Sequence, residues 1–215
     1  MSAGYRGIIF DLDGVICHTD YYHYQAWKKI ADELHIEFNH AINNRLRGVS
    51  RMESLSVILE KYNGPKLSEE KKQEYAEKKN TIYRESLKRM SVSDLSISVR
   101  DTLNALRKKG IKLAVGSSSK NAGFILERIG LSDFFDAVSD GNTITYSKPD
   151  PEVFLKASQY LQLSPSDCLV VEDAEAGIEA ALAGGMDCAA IGEAVRCQKA
   201  TYRLAEFSDL LNICV

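Results

Sequence analysis

The chain has 215 residues, of which 45% are hydrophobic and 27% are charged, and such proportions are typical of globular domains and exclude disordered and fibrous proteins. Thirty acidic and 27 basic residues leave a formal net charge of -3 without a basic block, so we expect no nucleic-acid partner. No apolar run reaches the roughly 20 residues that span a bilayer, and none near the N-terminus is long enough for a signal peptide; we therefore expect a cytoplasmic protein with no membrane partner.

The first predicted strand is the apolar run at residues 8–10, which an Asp-Leu-Asp-Gly segment ends. A short, fully apolar run is typical of a strand that is buried on both faces of a parallel sheet. The following segment shows no strand pattern. Hydrophobic residues at helical spacing predict helices within 24–34 and 52–62, and residues 68–89 predict a long charged helix. We therefore expect a helical cap domain over residues 18–90.

Strand and helix patterns alternate in the rest of the chain. Short apolar runs predict strands at residues 112–116, 137–139, 168–171 and 188–191. Helical patterns lie at residues 99–109, 121–129, 152–161 and 174–183. This alternation is typical of an α/β fold with a doubly wound parallel sheet. We expect a Rossmann-like catalytic core formed by residues 1–17 and 91–215, with the cap inserted after the first strand.

Polar residues follow four of the predicted strands, at the carboxyl ends where ligands bind in open α/β sheets. They are Asp11 and Asp13 after the first strand, Ser117 after the second, Lys148 after the third, and Glu172 and Asp173 after the fourth. Several acids beside one lysine and one serine indicate a divalent cation together with a phosphate. Hard oxygen ligands of this kind suit Mg²⁺.

The four polar segments resemble the four motifs of the haloacid dehalogenase superfamily of phosphotransferases. The matching residues are Asp-Leu-Asp-Gly-Val at 11–15, Ser117, Lys148-Pro149 and Glu172-Asp173. The resemblance implies that Asp11 is a nucleophile that forms a phosphoaspartate and that Asp13 is the general acid/base. It also implies that Ser117 and Lys148 hold the transferring phosphoryl group. The implied Mg²⁺ ligands are Asp11, Glu172, Asp173 and the backbone carbonyl of Asp13.

Residues 22–27, 47–51, 78–80 and 117–121 resemble, in addition, the β-phosphoglucomutase-like subfamily. This resemblance implies a hexose phosphomutase that interconverts β-D-glucose 1-phosphate and D-glucose 6-phosphate through an aspartyl-phosphate enzyme. β-Glucose 1,6-bisphosphate would be its intermediate and activator, and Mg²⁺ its metal. We expect its binding partner to be a sugar phosphate and its oligomeric state to be a monomer.

The subfamily resemblance assigns Arg51 to the non-transferring phosphate, and His23 and Lys79 to contacts that govern Asp13. The substrate-binding residues that it implies are Thr19, His23, Trp27, Gly48, Val49, Ser50, Arg51, Ser54, Lys79, Ser118, Ser119, Lys120 and Asn121. Two positions depart from the subfamily pattern: His18 stands where aspartate is common, and Met52 stands where an acid often follows the arginine.

Three cap residues can also be interpreted from the sequence pattern alone, without the family resemblance. Lys79 lies four residues from both Tyr75 and Tyr83 on one helix, so its amine either reaches solvent or points at an anion. His23 is a lone histidine near the start of a helix, which is more often structural. Arg51 follows a loop into a helix start, where a guanidinium suits a phosphate and an exposed surface arginine is equally expected.

Two other functions stay open. One is a phosphatase that acts on a small sugar phosphate, with the same Asp11 chemistry and water as the acceptor. Such an enzyme does not need the second phosphate site that Arg51 and Lys79 would supply. The other is a non-catalytic phosphoaspartate signalling module, which also uses acids, a serine or threonine, and a lysine on a doubly wound sheet. Asp13 and the cap are not expected in such a module.

Overall fold

A parallel six-stranded sheet forms the centre of the protein, in a computed structural model that describes residues 4–213. Its strands are β1 (Gly7–Phe10), β2 (Lys112–Gly116), β3 (Ala137–Ser139), β4 (Cys168–Glu172), β5 (Asp187–Ala190) and β6 (Tyr202–Arg203), in the order β3-β2-β1-β4-β5-β6. Phe10 at the end of β1 stands opposite Val115 of β2 and Val171 of β4. The residues that follow these three strands therefore meet at one edge of the sheet. The predicted parallel sheet is confirmed.

The strand side chains alternate between two hydrophobic clusters, one on each face of the sheet. Ile8 and Phe10 belong to one cluster and Ile9 to the other. In β4, Leu169 likewise belongs to the first cluster and Val170 to the second. All residues of β1 and β4 are buried, which explains why these strands read as continuous apolar runs without polar alternation.

Four helices follow β1 in the chain. They are α1 (Asp20–Glu33), α2 (His40–Asn44), α3 (Arg51–Leu59) and α4 (Glu69–Leu87), and we call residues 20–87 the helical insertion. Both α1 and α3 pack on α4. Trp27 and Leu55 belong to a hydrophobic cluster of the insertion itself, whereas Tyr83 and Leu87 join the cluster on one face of the sheet.

Side-chain hydrogen bonds cap the starts of α2, α3 and α4. The Ser50 hydroxyl accepts a hydrogen bond from the Glu53 backbone N–H at 3.2 Å, and the Glu53 carboxylate accepts one from the Ser50 N–H at 2.9 Å. This reciprocal arrangement is a capping box. Helix α2 begins where the Asn39 side chain accepts from the Ile42 N–H. Helix α2 leaves no predictive pattern in the sequence, because five residues are too few for a periodicity.

The remaining helices cover the two faces of the sheet. They are α5 (Ile97–Lys108), α6 (Ala122–Arg128), α7 (Glu152–Leu161), α8 (Glu175–Ala183) and the short α9 (Leu210–Ile213). The bounds predicted for α5 to α8 and for β2 to β5 agree with the structure to within two residues. The two-residue strand β6 is too short to leave a pattern in the sequence. Within residues 4–213, no helix has both the length and the apolar character that crossing a bilayer requires.

Candidate active site

A cavity of about 410 Å³ lies between the carboxyl edge of the sheet and the helical insertion. We call its sheet side the floor and its insertion side the roof. The predicted site residues that line it are Asp11, Asp13, His23, Trp27, Gly48, Val49, Ser50, Arg51, Ser54, Lys79, Ser117, Ser118, Ser119, Lys120, Asn121 and Asp173. The other predicted residues, Thr19, Lys148 and Glu172, are fully buried and do not line it.

Three carboxylates form a cluster in the floor. Asp11, Glu172 and Asp173 each place an oxygen within 4.8 Å of the other two, and all three residues are buried. The backbone N–H of Asp11 still donates to the Val171 carbonyl at 2.9 Å. The pairing of β1 with β4 therefore places Asp11 beside Glu172 and Asp173. Burial raises the pKa of Asp11 well above its ordinary value, with Lys148 opposing the shift. Burial and repulsion from Glu172 raise the pKa of Asp173 to about 7.

Lys148 is the cation that faces this cluster. Its Nζ lies 2.5 Å from Asp11 Oδ1 and 2.5 Å from Glu172 Oε1. Burial alone favours the neutral amine, but the two carboxylates outweigh it and raise the pKa of Lys148 above its ordinary value. The side chain is therefore a buried ammonium group. The sequence position of Lys148 is consistent with a salt-bridge role and with a phosphoryl-binding role, and the observed ion pairs are compatible with both.

The floor cluster suits a divalent metal ion. Lys148 pairs with Asp11 and Glu172, and Arg47 pairs with Asp173 and with Asp20. Four carboxylates therefore share two cations, and excess negative charge remains in a place where unpaired charge is costly. Mg²⁺ prefers oxygen ligands of this kind and commonly binds through one or two carboxylates and substrate phosphates. The residues present therefore fit Mg²⁺, with Asp11, Glu172 and Asp173 as side-chain ligands.

Two glycines allow the acids to approach one another. Gly14 has a φ of +93°, and a Cβ atom there would lie 2.1 Å from Asp173 Oδ2. A Cβ atom on Gly177 would lie 1.9 Å from Glu172 Oε1. Any larger residue at either position would push a carboxylate out of the cluster, and at Gly14 it would also adopt a strained backbone conformation.

Asp13 stands on a tight turn beside the cluster. The Gly14 N–H donates to the Cys17 carbonyl at 2.7 Å, which closes the turn. Thr19, which the resemblance places among the substrate contacts, is fully buried and donates its hydroxyl hydrogen bond to Asp13 Oδ1. Burial raises the pKa of Asp13, and the Thr19 hydrogen bond opposes the shift. The turn thus presents to the cavity a carboxyl group that holds a proton more readily than an exposed aspartate.

The loop after β2 supplies hydroxyl and amide groups to the floor. The Ser119 N–H donates to the Ser117 hydroxyl at 3.1 Å, and the Asn121 N–H donates to the Ser119 hydroxyl at 3.2 Å. Two roles are predicted for residues 118–121 from the sequence. Their backbone N–H groups bind a phosphate, or one of the serines only caps the following helix. Two of these N–H groups donate to serine hydroxyls in the structure, so the loop is ordered by its own side chains.

Lys79 occupies the roof among aromatic rings. The residue is only 3% exposed, and its Nζ lies 5.0 Å from the centre of the Trp27 ring and 4.4 Å from that of Tyr83. His23 Nδ1 lies 3.0 Å from the same Nζ. Burial and the charge of Arg51 lower the pKa of Lys79 to about 7. Lys79 therefore points into the cavity and does not reach bulk solvent.

His23 is part of the same cluster. The centre of its ring lies 4.1 Å from the centre of the Tyr83 ring, with the two planes inclined by 47°. Burial, followed by the charges of Lys79 and Arg51, lowers the pKa of His23 well below its ordinary value. The histidine is therefore neutral at physiological pH, and its Nδ1 can accept a hydrogen bond from a charged Lys79.

Arg51 is the second cation of the roof. It is the first residue of α3, directly after the Ser50 cap. Its Nη1 lies 2.8 Å from Glu77 Oε1 on α4, and its side chain is 19% exposed. The arginine thus lines the cavity with one carboxylate partner. The floor presents an excess of carboxylates to the cavity, and the roof presents the basic side chains of Arg47, Arg51 and Lys79.

Hydrogen bonds join the insertion directly to the sheet domain. The Ser118 hydroxyl donates to the Gly48 carbonyl at 3.0 Å, and the Asn121 amide donates to Asn80 Oδ1 at 3.0 Å. The Ser147 hydroxyl donates to the Glu53 carboxylate. The insertion is therefore closed on the core in this structure.

Several residues of the site are missing from the sequence prediction. Arg47 joins Asp173 at 2.9 Å and Asp20 at 2.5 Å, and Asn80 and Glu53 make the contacts described above. Arg47 and Asn80 stand inside the segments 47–51 and 78–80 that carry the subfamily resemblance, which is the signal that points to them. No comparable signal marks Glu53, whose partner Ser147 lies 94 positions away in the sequence.

Comparison with known proteins gives consistent matches over most of the chain. Residues 5–185 match the family model for haloacid dehalogenase-like hydrolases. Beta-phosphoglucomutase of Bacillus subtilis (strain 168) is 40% identical over 207 residues, which are 95% of this chain and 91% of that protein. The crystal structure of beta-phosphoglucomutase from Clostridium difficile superposes with a TM-score of 0.89 at 37% identity, over 96% of this chain and 93% of that one. The phosphorylated carbohydrates phosphatase of Thermotoga maritima is 29% identical over 184 residues, 85% of this chain and 82% of that protein.

Proposed function

Because the chain belongs to the haloacid dehalogenase-like hydrolases, we propose that its phosphotransferase activity interconverts β-D-glucose 1-phosphate and D-glucose 6-phosphate. The proposed cycle uses an aspartyl phosphate and a β-glucose 1,6-bisphosphate intermediate, which also activates the enzyme. One observation supports this cycle above others. A single cavity is lined by Asp11 at its floor, with Lys148 buried 2.5 Å behind that carboxylate, and by Arg51 and Lys79 at its roof, so it offers places for both phosphates of a bisphosphate.

Phosphoryl transfer in the proposed cycle takes place at Asp11. A carboxylate oxygen of Asp11 attacks phosphorus, the bond from phosphorus to the sugar oxygen breaks, and the proton of Asp13 goes to that oxygen. In the reverse half of the cycle a sugar hydroxyl gives its proton to Asp13 and attacks the phosphoaspartate. Burial raises the pKa of Asp13, which supports its role as the proton donor.

The negative charges of Asp11 and of a phosphate must be offset before they can meet. Lys148 lies 2.5 Å from Asp11 and we assign it, with Ser117, to the transferring phosphoryl group. Mg²⁺ would be held by Asp11, Glu172, Asp173 and the backbone carbonyl of Asp13, and when bound it supplies further positive charge to the phosphoryl oxygens. The residues Ser118, Ser119, Lys120 and Asn121 are assigned to the same end of the substrate.

The roof is assigned to the other phosphate and to the sugar. The planar guanidinium of Arg51 suits two hydrogen bonds to one phosphate, and an arriving anion would favour the charged form of Lys79. His23 holds Lys79 by the contact at 3.0 Å. The sugar-facing residues of the proposal are Trp27, Gly48, Val49, Ser50 and Ser54.

We also propose the division into a cap at residues 18–90 and a core at 1–17 and 91–215. The separate hydrophobic cluster of the insertion supports this division. Closure of the cap would exclude water and protect the phosphoaspartate from hydrolysis. One chain supplies every residue of the cycle, which supports a monomer as the working unit.

The proposal is tested by one product assay. The protein is incubated with Mg²⁺, β-glucose 1-phosphate and a catalytic amount of β-glucose 1,6-bisphosphate, and glucose 6-phosphate and free phosphate are measured together. A mutase yields glucose 6-phosphate with little free phosphate. Stoichiometric free phosphate without glucose 6-phosphate would overturn the proposal.

A sugar-phosphate phosphatase is the second candidate. Two observations favour it: Arg51 already has a partner in Glu77 at 2.8 Å, and a phosphatase is among the similar proteins. The same assay separates the two candidates by the ratio of products. The signalling module is set aside, because the family and the relative at 40% identity are enzymes.

A further inference from the structure

Arg47 connects the roof of the cavity to the acidic cluster of its floor. It lies in the loop between α2 and α3, and its Nη1 donates to Asp173 Oδ2 at 2.9 Å. Its Nη2 donates to Asp20 Oδ2 at 2.5 Å, at the first residue of α1. One guanidinium from the insertion therefore binds both a carboxylate of the floor and a carboxylate beside the crossing from β1 into the insertion.

The Arg47–Asp173 pair also borders two cavities. A second cavity, of about 540 Å³, shares part of its wall with the first. Arg47, Val49 and Asp173 line both cavities. The Arg47–Asp173 pair therefore lies where the two cavities meet.

The surroundings of Arg47 do not provide an acceptor for every N–H donor of its guanidinium. Its Nε is buried and has no hydrogen-bond partner among residues 4–213, although the side chain as a whole is 24% exposed. A buried N–H without a partner costs free energy. The closed position of Arg47 is therefore held by its two ion pairs rather than by a complete set of hydrogen bonds.

We propose that Arg47 competes with the divalent cation for Asp173, so that closure of the insertion and metal binding oppose each other when no substrate is present. This inference rests on the metal site of the proposed function. The positive charge of Arg47 beside a ligand carboxylate repels a divalent cation at the same carboxylate. Because coupling between two equilibria is reciprocal, the cation weakens closure as much as closure weakens binding of the cation.

A phosphorylated substrate changes this balance. Its phosphate brings negative charge into the floor, where it attracts both the cation and the guanidinium. Arg47 and Mg²⁺ then have the phosphate as a second anionic partner and no longer depend only on Asp173. The closed, metal-loaded arrangement is thus favoured when a phosphate is present, and Arg47 acts as a positioning residue for closure.

The test measures Mg²⁺ affinity by calorimetric titration of the whole protein with MgCl₂, without any sugar phosphate. In Arg47→Met, Mg²⁺ should bind about tenfold more tightly than in wild type, because a like charge close to the ion has been removed. Arg47→Lys keeps the charge and should retain most of the wild-type affinity.

Arg45→Ala is the matched control. Arg45 lies two positions away, is exposed, and pairs with Glu60 inside the insertion through two contacts of 2.7 Å. Its removal should leave Mg²⁺ affinity unchanged. Unchanged or weaker Mg²⁺ binding by Arg47→Met, or the same gain in Arg45→Ala, would overturn the inference.

A second readout follows closure directly. Trp27 is the single tryptophan of the chain and is 2% exposed in the cavity wall, so acrylamide quenching of its fluorescence reports opening. Mg²⁺ alone should increase quenching in wild type and have a smaller effect in Arg47→Met. Equal effects in both proteins would overturn the inference. Product formation is assayed separately, so a failed mutase assay with these binding results intact would reject the phosphomutase and not the role of Arg47.

Discussion

The floor and the roof of the cavity are held in place by different forces. In the floor, Asp11 and Glu172 continue from neighbouring strands, and Lys148 lies fully buried between them. In the roof, Arg51 and Lys79 stand on different helices and depend on side-chain neighbours such as Glu77 and His23. Backbone pairing fixes the floor, whereas packing between helices fixes the roof. We therefore expect changes in the floor to affect chemistry and changes in the roof to affect the choice of acceptor.

Asp11→Asn should have the largest effect, because an amide neither attacks phosphorus nor binds a metal as an anion. Loss of a nucleophile of this kind lowers turnover by about 10⁴-fold or more. The rate of glucose 6-phosphate formation is the measurement, with circular dichroism to show that the variant is folded. A folded variant with the wild-type rate would remove Asp11 from its proposed role.

Asp13→Asn should separate proton transfer from metal binding inside the floor. General acid–base catalysis contributes about 10²- to 10⁴-fold, so a loss of about that size is expected at saturating Mg²⁺. Mg²⁺ affinity should stay close to wild type, since only the backbone carbonyl of Asp13 is assigned to the metal. A sharp fall in affinity with an unchanged saturated rate would contradict the assignment.

Arg51→Ala should distinguish the roof from the floor. Transfer to glucose phosphates should slow about 10- to 100-fold, which corresponds to the loss of a hydrogen bond to a charged group, about 1.5–3 kcal/mol. Hydrolysis of acetyl phosphate, which has no second phosphate, should change little. Equal losses on both substrates would mean that Arg51 supports the fold or the floor, and the phosphatase candidate would then lead.

Lys79 should make stability depend on pH. The pKa of the folded group is about 7 and its ordinary value is 10.5, so between these values the unfolded chain binds more protons than the folded one. The free energy of unfolding of wild type minus that of Lys79→Met should therefore rise with pH from 7 to 10, by at most about 1.4 kcal/mol per pH unit. Lys78→Met is the control, because Lys78 is exposed and pairs with Glu33. A difference that is flat with pH would show that Lys79 is charged throughout.

The parts of the site that the sequence predicts are those that strand ends bring together. Asp11, Ser117 and Glu172 follow or end apolar runs, and parallel strands must align such positions at one edge. Pairs that depend on how the insertion rests on the core leave no local pattern. Arg47 and Asp173 are 126 positions apart, and their contact follows from packing alone.

Thr19 illustrates a second limit. The family resemblance places it with the substrate contacts, and the structure places it behind Asp13 as a hydrogen-bond donor. Sequence position identifies the neighbourhood of a residue, but whether its side chain faces the cavity or the interior depends on the turn at 13–17, which Gly14 shapes.

The insertion leaves the sheet domain after β1 and returns to it before α5 and β2, and β1 and β2 are neighbours in the sheet. The chain therefore leaves the sheet domain and returns to it near the same pair of neighbouring strands. The order of the strands does not depend on the sequence of the insertion. A segment of different length or sequence could be exchanged there without redirecting the path of the chain through the sheet. Acceptor preference can in this way be changed without replacing the phosphoryl-transfer residues. A chimaera that carries a relative's residues 20–87 should keep Asp11, Lys148 and Glu172 in place, and its Asp173 would keep a cationic neighbour only where the graft supplies a residue equivalent to Arg47.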